Sequence, residues 1–236
     1  PLLSIARFLI VILVRNYAED IDIYFQFFRG ELFIGWDETG EGVIIDPGFY
    51  NDSEAQALFG KIAEKQVRPV MVLLTHGHFD HIFGVKECAD KYGIPVYMNQ
   101  EDNYVLQHNF SQVFGLKEPD TSFSTLPLED GQIIKFGNTE FQVITTPGHT
   151  PGGVCFYDKA DKVVFTGDTL FAGSIGRTDH PGGDYDKLIV SLMDKLMGIP
   201  GDVTSSGSWP QHHDFRRAHP QSFPPAVQRT RHGSSR

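Results

Sequence analysis

Val70-Met71-Val72-Leu73-Leu74-Thr75-His76-Gly77-His78-Phe79-Asp80-His81 is an apolar run that ends in three imidazoles and a carboxylate. A short aliphatic segment bounded by Pro69 reads as a buried strand, and α/β architectures place ligands at the C-terminal ends of such strands. Titratable groups beside a core strand need compensation. Imidazole is the commonest metal-ligating side chain and suits zinc, iron and similar ions. The stretch therefore predicts a metal site at a strand end.

On its N-terminal side, Asp22 to Phe28 and Glu31 to Trp36 are aromatic and β-branched, and Glu38-Thr39-Gly40-Glu41-Gly42 turns into Val43-Ile44-Ile45-Asp46. This is a β-meander whose last strand ends on an aspartate. Asn51, Asp52 and Ser53 offer N-caps for a helix reaching about Gln66. On the C-terminal side, Ile82 to Tyr92 reads as a helix ended by Gly93, Ile94 to Met98 as a strand, and Gln100 to His108 as a second helix. Asn109 to Pro127, punctuated by Gly, Pro and Ser, reads as a long surface connection and a candidate substrate-facing loop.

Strands resume at Gln132 to Phe136 and Glu140 to Ile144, joined by Gly137-Asn138, a type I′ hairpin signal. Then comes Thr145-Thr146-Pro147-Gly148-His149-Thr150-Pro151-Gly152-Gly153, and strands Val154 to Tyr157 and Lys162 to Thr166 deliver Gly167-Asp168-Thr169-Leu170-Phe171. A Gly-rich loop, Ala172 to Gly183, precedes an amphipathic helix from Asp184 to Met197, and a further strand is expected after Asp202. Two blocks of strands and helices, each ending in a ligand loop, predict an α/β fold of two mixed β-sheets with helices outside. No repeat occurs at solenoid period.

The 236 residues suffice for one sizeable domain that folds by burial alone. Cys88 and Cys155 lie far apart and outside any CxxC pattern, which excludes a disulfide framework and a cysteine zinc site and fits a reducing, cytoplasmic setting. A net charge of −10 argues against a nucleic-acid partner. Leu2 to Val14 is apolar, too short to span a bilayer as a helix, and lacks a basic segment before it. It is read as an extra strand or helix, or as sequence foreign to the domain. No membrane partner is expected, and the lack of an initiator methionine is read as processing or an incomplete chain.

The four ligating groups of His76, His78, Asp80 and His81 cannot all reach one cation. His149 added to His76 and His78 makes a three-imidazole site with an open position, the pattern of a catalytic zinc. Asp80, His81 and Asp168 form a second candidate set, with the two oxygens of Asp168 suited to bridge. A water between two such cations has its pKa lowered towards ~7.

Thr75 to His81, Thr146 to Gly153 and Phe165 to Phe171, in this order and each after a strand, resemble the metallo-β-lactamase superfamily from about Ile21 to Val203. That resemblance implies an αββα sandwich with a dinuclear site between its halves. Gly173 to Asp179 and Gly182 to Tyr185 resemble the short, single-domain glyoxalase II-like hydrolases. The activity so implied is attack of a metal-bound hydroxide on a thioester such as S-lactoylglutathione, with Asp80 orienting the nucleophile and accepting its proton. The implied cofactor is zinc, one or two ions, with iron or manganese also possible. Arg177 and Asp179 are expected to form a buried pair that shapes the site. Mononuclear iron persulfide dioxygenases share much of the pattern, as do lactonase and phosphodiesterase relatives.

One departure stands out. The family pattern carries a further histidine in a Leu-Pro-Gly-His-Gly-Pro loop, about forty residues past Asp168; here the place reads Ser205-Ser206-Gly207-Ser208-Trp209-Pro210. Encoded TCT-TCC-GGG-TCA-TGG-CCC and read one base later, the same stretch gives Leu-Pro-Gly-His-Gly. The shift also turns Gln211 to Pro225 into a sequence resembling the ending of these hydrolases. The expectation is a frameshift between about Asp202 and Ser205, which makes 21–203 the domain and 204–236 an atypical, disordered tail; residues 1–20, which match nothing in the family pattern, are of unclear origin. Such a chain would hold metal firmly at the first site and weakly at the second, and a catalytically impaired product is the corresponding alternative.

Overall fold

Alternation along the central strands dictates three layers of packing. In the computed structural model, which describes residues 9–14, 21–24, 32–171, 173–201 and 203–206, Leu32 and Ile34 face one way and Phe33 the other, and Ile44 opposes Val43 and Ile45. The first half of the chain comprises β1 (Leu9–Val14), β2 (Ile21–Tyr24), β3 (Leu32–Trp36), β4 (Glu41–Ile45), α1 (Asp52–Glu64), β5 (Arg68–Leu73), α2 (Phe79–Ile82), α3 (Val85–Tyr92), β6 (Val96–Met98), α4 (Asn103–Gln107) and β7 (Thr125–Pro127). The second half comprises β8 (Ile133–Phe136), β9 (Thr139–Thr145), β10 (Val154–Asp158), β11 (Val163–Phe165), the ribbon β12 (Leu170–Phe171) and β13 (Ser174–Ile175), α5 (Tyr185–Val190) and β14 (Thr204–Ser205).

One sheet has the order β2-β1-β3-β4-β5-β6-β7 and the other β14-β11-β10-β9-β8. Phe33, Val43, Ile45 and Leu73 of the first meet Ile134, Phe141, Val143, Val154, Phe156 and Phe165 of the second in a shared core. On the outer face of the first sheet, Ile34, Ile44, Val72 and Leu74 pack on Leu58 and Ile62 of α1 and on Val85 and Cys88 of α3. Beyond the second sheet, Cys155, Tyr157 and Val164 pack on Leu188, Leu192 and Leu196. The fold is the αββα sandwich that the motif resemblance implies. Each apolar side chain in these clusters contributes about 1.5–3 kcal/mol when fully buried, so the sandwich needs no covalent staple.

Helix signals translate closely. Asn51 Oδ1 accepts from Glu54 N (3.1 Å) and Glu54 Oε2 from Tyr50 N (2.6 Å), a reciprocal cap for α1. The single helix read from Ile82 to Tyr92 is instead α2 and α3, separated at Gly84, where a Cβ would collide with the Phe49 ring. The surface connection Asn109 to Pro127 closes with β7, an edge strand parallel to β6. An edge position tolerates Pro127, which is why the signal was masked. The apolar N-terminal run supplies β1, parallel to β3. The strand expected after Asp202 is β14, parallel to β11. Beyond Ser206 the atypical tail lies outside the described residues.

Asp37, 3% exposed, ties the two sheets' hairpins. It accepts from Thr39 N (2.9 Å) and Oγ1 (2.5 Å), Asn138 N (2.6 Å) and Thr139 Oγ1 (3.1 Å). Burial pushes its carboxyl up, but these four donors outweigh it and hold the group below the usual aspartate range. Hydrogen bonds to a charged group contribute ~1.5–3 kcal/mol, so Asp37→Asn is expected to cost about 2 kcal/mol at neutral pH. A carboxyl lowered in the folded state stabilises above its unfolded pKa of ~3.9 and loses that contribution as pH falls through the folded value. Urea unfolding of parent and variant should show a constant gap above pH ~5 that narrows below pH ~4.

Candidate metal centre

Four strand ends converge on one rim. β4 delivers Asp46 and the parallel β5 delivers Thr75 to His81, while β9 and β11, both antiparallel to β10, deliver His149 and Asp168. The rim is stitched by main-chain bonds from Asp46 N to Leu73 O (3.0 Å) and from Val154 N to Thr75 O (2.8 Å), the latter joining the two sheets. A Cβ at Gly48 would collide with the Asp80 carbonyl oxygen, and one at Gly176 with that of Asp168, so both acidic loops lie against a neighbour that only glycine admits.

Proton assignments then follow from the partners. Asp46, in the left-handed region at φ 48°, accepts from Thr75 N (2.7 Å) and Thr75 Oγ1 (2.5 Å). Such strain in a non-glycine residue persists only where the surroundings enforce it. With its hydroxyl proton committed to Asp46, Thr75 Oγ1 receives one from His76 Nδ1 at 3.0 Å. His76 Nε2 is thereby left as a lone pair, buried and without a hydrogen-bond partner. His81 Nδ1 is 3.0 Å from Asp46 Oδ2, and its Nε2, also without a hydrogen-bond partner, lies 3.3 Å from Asp168 Oδ1. His149 Nδ1 donates to the Arg177 carbonyl (2.8 Å), which turns Nε2 towards His78 Nδ1 at 2.9 Å and Asp168 Oδ2 at 3.4 Å. Outer partners of this kind fix the tautomer and orientation of metal-binding imidazoles.

Ligand atoms of His76, His78 and His149 all lie within 4.8 Å of one another, as do those of Asp46, His76 and His81. Nitrogens around a tetrahedral zinc at ~2.0–2.1 Å stand roughly 3.3 Å apart, close to the spacing of His78 and His149. Burial and the neighbouring rings hold His76 well below the usual imidazole range and His78 down at about 2, and His149 is lowered too. The trio is therefore neutral, the form that ligates. Across the site, burial disfavours charge on His81, but Asp168 and Asp46 outweigh it and raise the ring well above its ordinary value. Burial likewise works against the Asp168 anion, yet His81 and the other imidazoles bring its carboxyl down to about 2. A neutral trio whose ring nitrogens converge, His76 Nε2 among them buried and without a hydrogen-bond partner, beside an ionised carboxylate, fits a divalent cation.

His76, His78 and His149 thus stand together as the sequence predicts, and Asp168 reaches both sides of the centre, one oxygen towards His81 and one towards His149. Asp80, on α2, feels the charges of His81, Asp168 and Asp46; burial raises its carboxyl to about 6. The Arg177 and Asp179 pair requires correction. It is a bidentate pair at 2.8 and 3.2 Å with side chains 64% and 74% exposed, because both project from the Gly-rich loop into solvent. Arg177 serves the site through its carbonyl.

Two contributors escaped the sequence reading. Asp46 had a signal, an aspartate ending a buried strand. His180, whose ring lies 4.8 Å from that of His78 and 4.9 Å from that of His149, had none, since nothing in its loop marks the fold-back.

Residues 32–215 match the family profile described as the metallo-beta-lactamase superfamily. The chain belongs to that superfamily of metallo-hydrolases. Hydroxyacylglutathione hydrolase GloC of Haemophilus influenzae is 35% identical over 196 residues, covering 78% of this chain and 89% of that protein. Among solved structures, the BLEG-1 B3 metallo-beta-lactamase is similar with a TM-score of 0.67 and 35% identity, over 74% of this chain and 83% of that one. TTHA1623 in a di-iron-bound form is similar with a TM-score of 0.61 and 36% identity, over 70% and 79%. No described helix is long and apolar enough to cross a membrane.

Proposed function

We propose that the chain hydrolyses a small-molecule thioester of the hydroxyacylglutathione type, with one or two divalent ions, zinc first and iron or manganese as substitutes. The observation that carries the reading is the convergence of His76, His78 and His149 beside Asp168. The thioester class is supported by similarity to GloC over nearly all of that protein's length. His76, His78 and His149 would hold one ion, and His81 with Asp168 and Asp80 would face another. When bound, such ions supply Lewis-acid polarisation of a carbonyl and acidify water into a nucleophile near neutral pH.

The chain's own groups do the remainder. The Asp80 carboxyl, at about 6, is matched to taking up a proton and returning it near neutral pH. Asp46 and the Arg177 carbonyl hold the rings of His81 and His149 by Nδ1, so that Nε2 of each is turned towards Asp168. Burial of His76 and His81 keeps water from competing for their nitrogens. The buried, unpaired Cys88 and Cys155 support a cytoplasmic setting.

The test is thiol release from S-lactoylglutathione by purified, zinc-loaded chain. Turnover that a chelator abolishes and added metal restores is the expected result; no turnover either by this chain or by one carrying the shifted-frame ending, both shown to hold zinc, overturns the substrate class. The di-iron form of TTHA1623 supports iron as an alternative metal, and the corresponding second reading is a mononuclear iron persulfide dioxygenase. Oxygen uptake by iron-loaded chain given glutathione persulfide discriminates it.

A further inference from the structure

The two ligand loops of the three-imidazole site come from different sheets, so their separation needs its own support. Gly77 stands between His76 and His78, and Thr150 to Gly152 directly follow His149. Between the loops lies Asp102, 0% exposed, at the end of the 3-10 turn Gln100–Asp102 that leads into α4. Its Oδ2 accepts from Gly77 N (2.8 Å) and from Thr150 Oγ1 (2.8 Å), and its Oδ1 accepts from Gly152 N (2.5 Å). Three donors from two ligand loops thus end on one carboxylate that is not itself in the metal centre.

Both motif glycines make sense against this turn. A Cβ at Gly152 would stand 2.6 Å from Asp102 N and 2.8 Å from its Oδ1; one at Gly77 would stand 3.0 Å from Leu106 N and 3.2 Å from Asp102 O. The loops press on the Asp102 turn from two sides: the contact at Gly152 excludes a side chain, and the one at Gly77 leaves a Cβ little room.

We propose that Asp102 is the positioning residue of the three-imidazole site, a buried carboxylate that sets the distance between the His76–His78 loop and His149 by accepting from both. The proposal rests on the metal-centre reading and is independent of the substrate. Asparagine in its place keeps the size but offers one acceptor oxygen, so its amide N–H₂ meets donors. Valine at Thr150 removes one donor with little change of shape.

Cobalt(II) binding to the full-length protein, read by visible absorption, tests this. Asp102→Asn is expected to lower cobalt affinity about 10–100-fold, the usual effect of losing an outer partner, and to alter the absorption bands, with far-UV circular dichroism of the metal-free protein unchanged. Thr150→Val should lower affinity less, and the double variant should lose less than the sum, because the two share a contact. Asp37→Asn, which loosens the fold away from the site, should leave cobalt affinity unchanged. Parent affinity and spectrum in both Asp102→Asn and Thr150→Val would overturn the proposal, as would an equal loss in Asp37→Asn. Should Asp102→Asn not fold, Thr150→Val decides alone. A parent chain that binds no cobalt would instead defeat the metal-centre reading.

Discussion

His76→Ala is expected to reduce kcat/KM for thioester hydrolysis about 10³-fold and to abolish stabilisation of the protein by zinc. Its Nε2 is buried with no hydrogen-bond partner, and Thr75 fixes the other nitrogen as a donor, which leaves that Nε2 lone pair available to a metal ion. Alanine leaves His78 and His149 as two nitrogens where three converged. A metal contributes several kcal/mol of transition-state stabilisation, and ~1.4 kcal/mol is a factor of ten in rate. Ligand binding to the native state alone raises stability by RT ln(1 + [L]/Kd), ~2.7 kcal/mol at 100 times Kd. Melting with and without zinc should therefore separate parent from variant. The metal-free variant should lose little stability, because the imidazole volume it gives up is offset by removal of an unsatisfied buried nitrogen, itself worth ~1–3 kcal/mol. An equal zinc shift in His76→Ala would mean that the ion sits elsewhere.

What the sequence disclosed followed short-range rules. Val70 to His81 announced a strand ending in ligands, and Gly137-Asn138 a hairpin, because each is decided by residues a few positions apart. Other features depended on contacts far along the chain. The break between α2 and α3 falls at Gly84, a position where the Phe49 ring leaves no space for a side chain. Pro127 disguised an edge strand whose pairing with β6 is visible only in three dimensions. Arg177 and Asp179, two residues apart with opposite charge, suggested a buried pair, yet their loop points them outward and uses a carbonyl instead. The convergence of His76, His78 and His149 could be read from spacing, but the groups that orient these rings, Thr75 and the Arg177 carbonyl, are defined by distance and tautomer, which spacing does not encode.

A chain with Leu-Pro-Gly-His-Gly in place of Ser205 to Trp209, and the shifted-frame ending after it, is expected to hold two tight metal ions where the present chain holds one, and to hydrolyse about 10²–10³-fold faster, the scale of one lost oxyanion donor. His81 Nε2 lies 3.3 Å from Asp168 Oδ1, while Asp46 accepts from Thr75 and lies 3.0 Å from His81 Nδ1; on the proposed reading Asp80 joins His81 and Asp168 around a second ion. One more imidazole would complete the set. β14 brings the chain alongside β11, and Ser206 Oγ accepts from Thr166 N at 3.0 Å, two residues before Asp168. In the shifted reading a histidine replaces Ser208, two residues along the chain from residue 206, a span of at most ~7 Å. Serine offers neither the basicity nor the length of imidazole. Metal analysis of both chains after removal of loosely held ions reads the first expectation, and thiol release reads the second. Two tight ions and an equal rate in the chain as it stands would show that His81, Asp168 and Asp80 suffice for the second ion, and that Leu-Pro-Gly-His is dispensable to this centre.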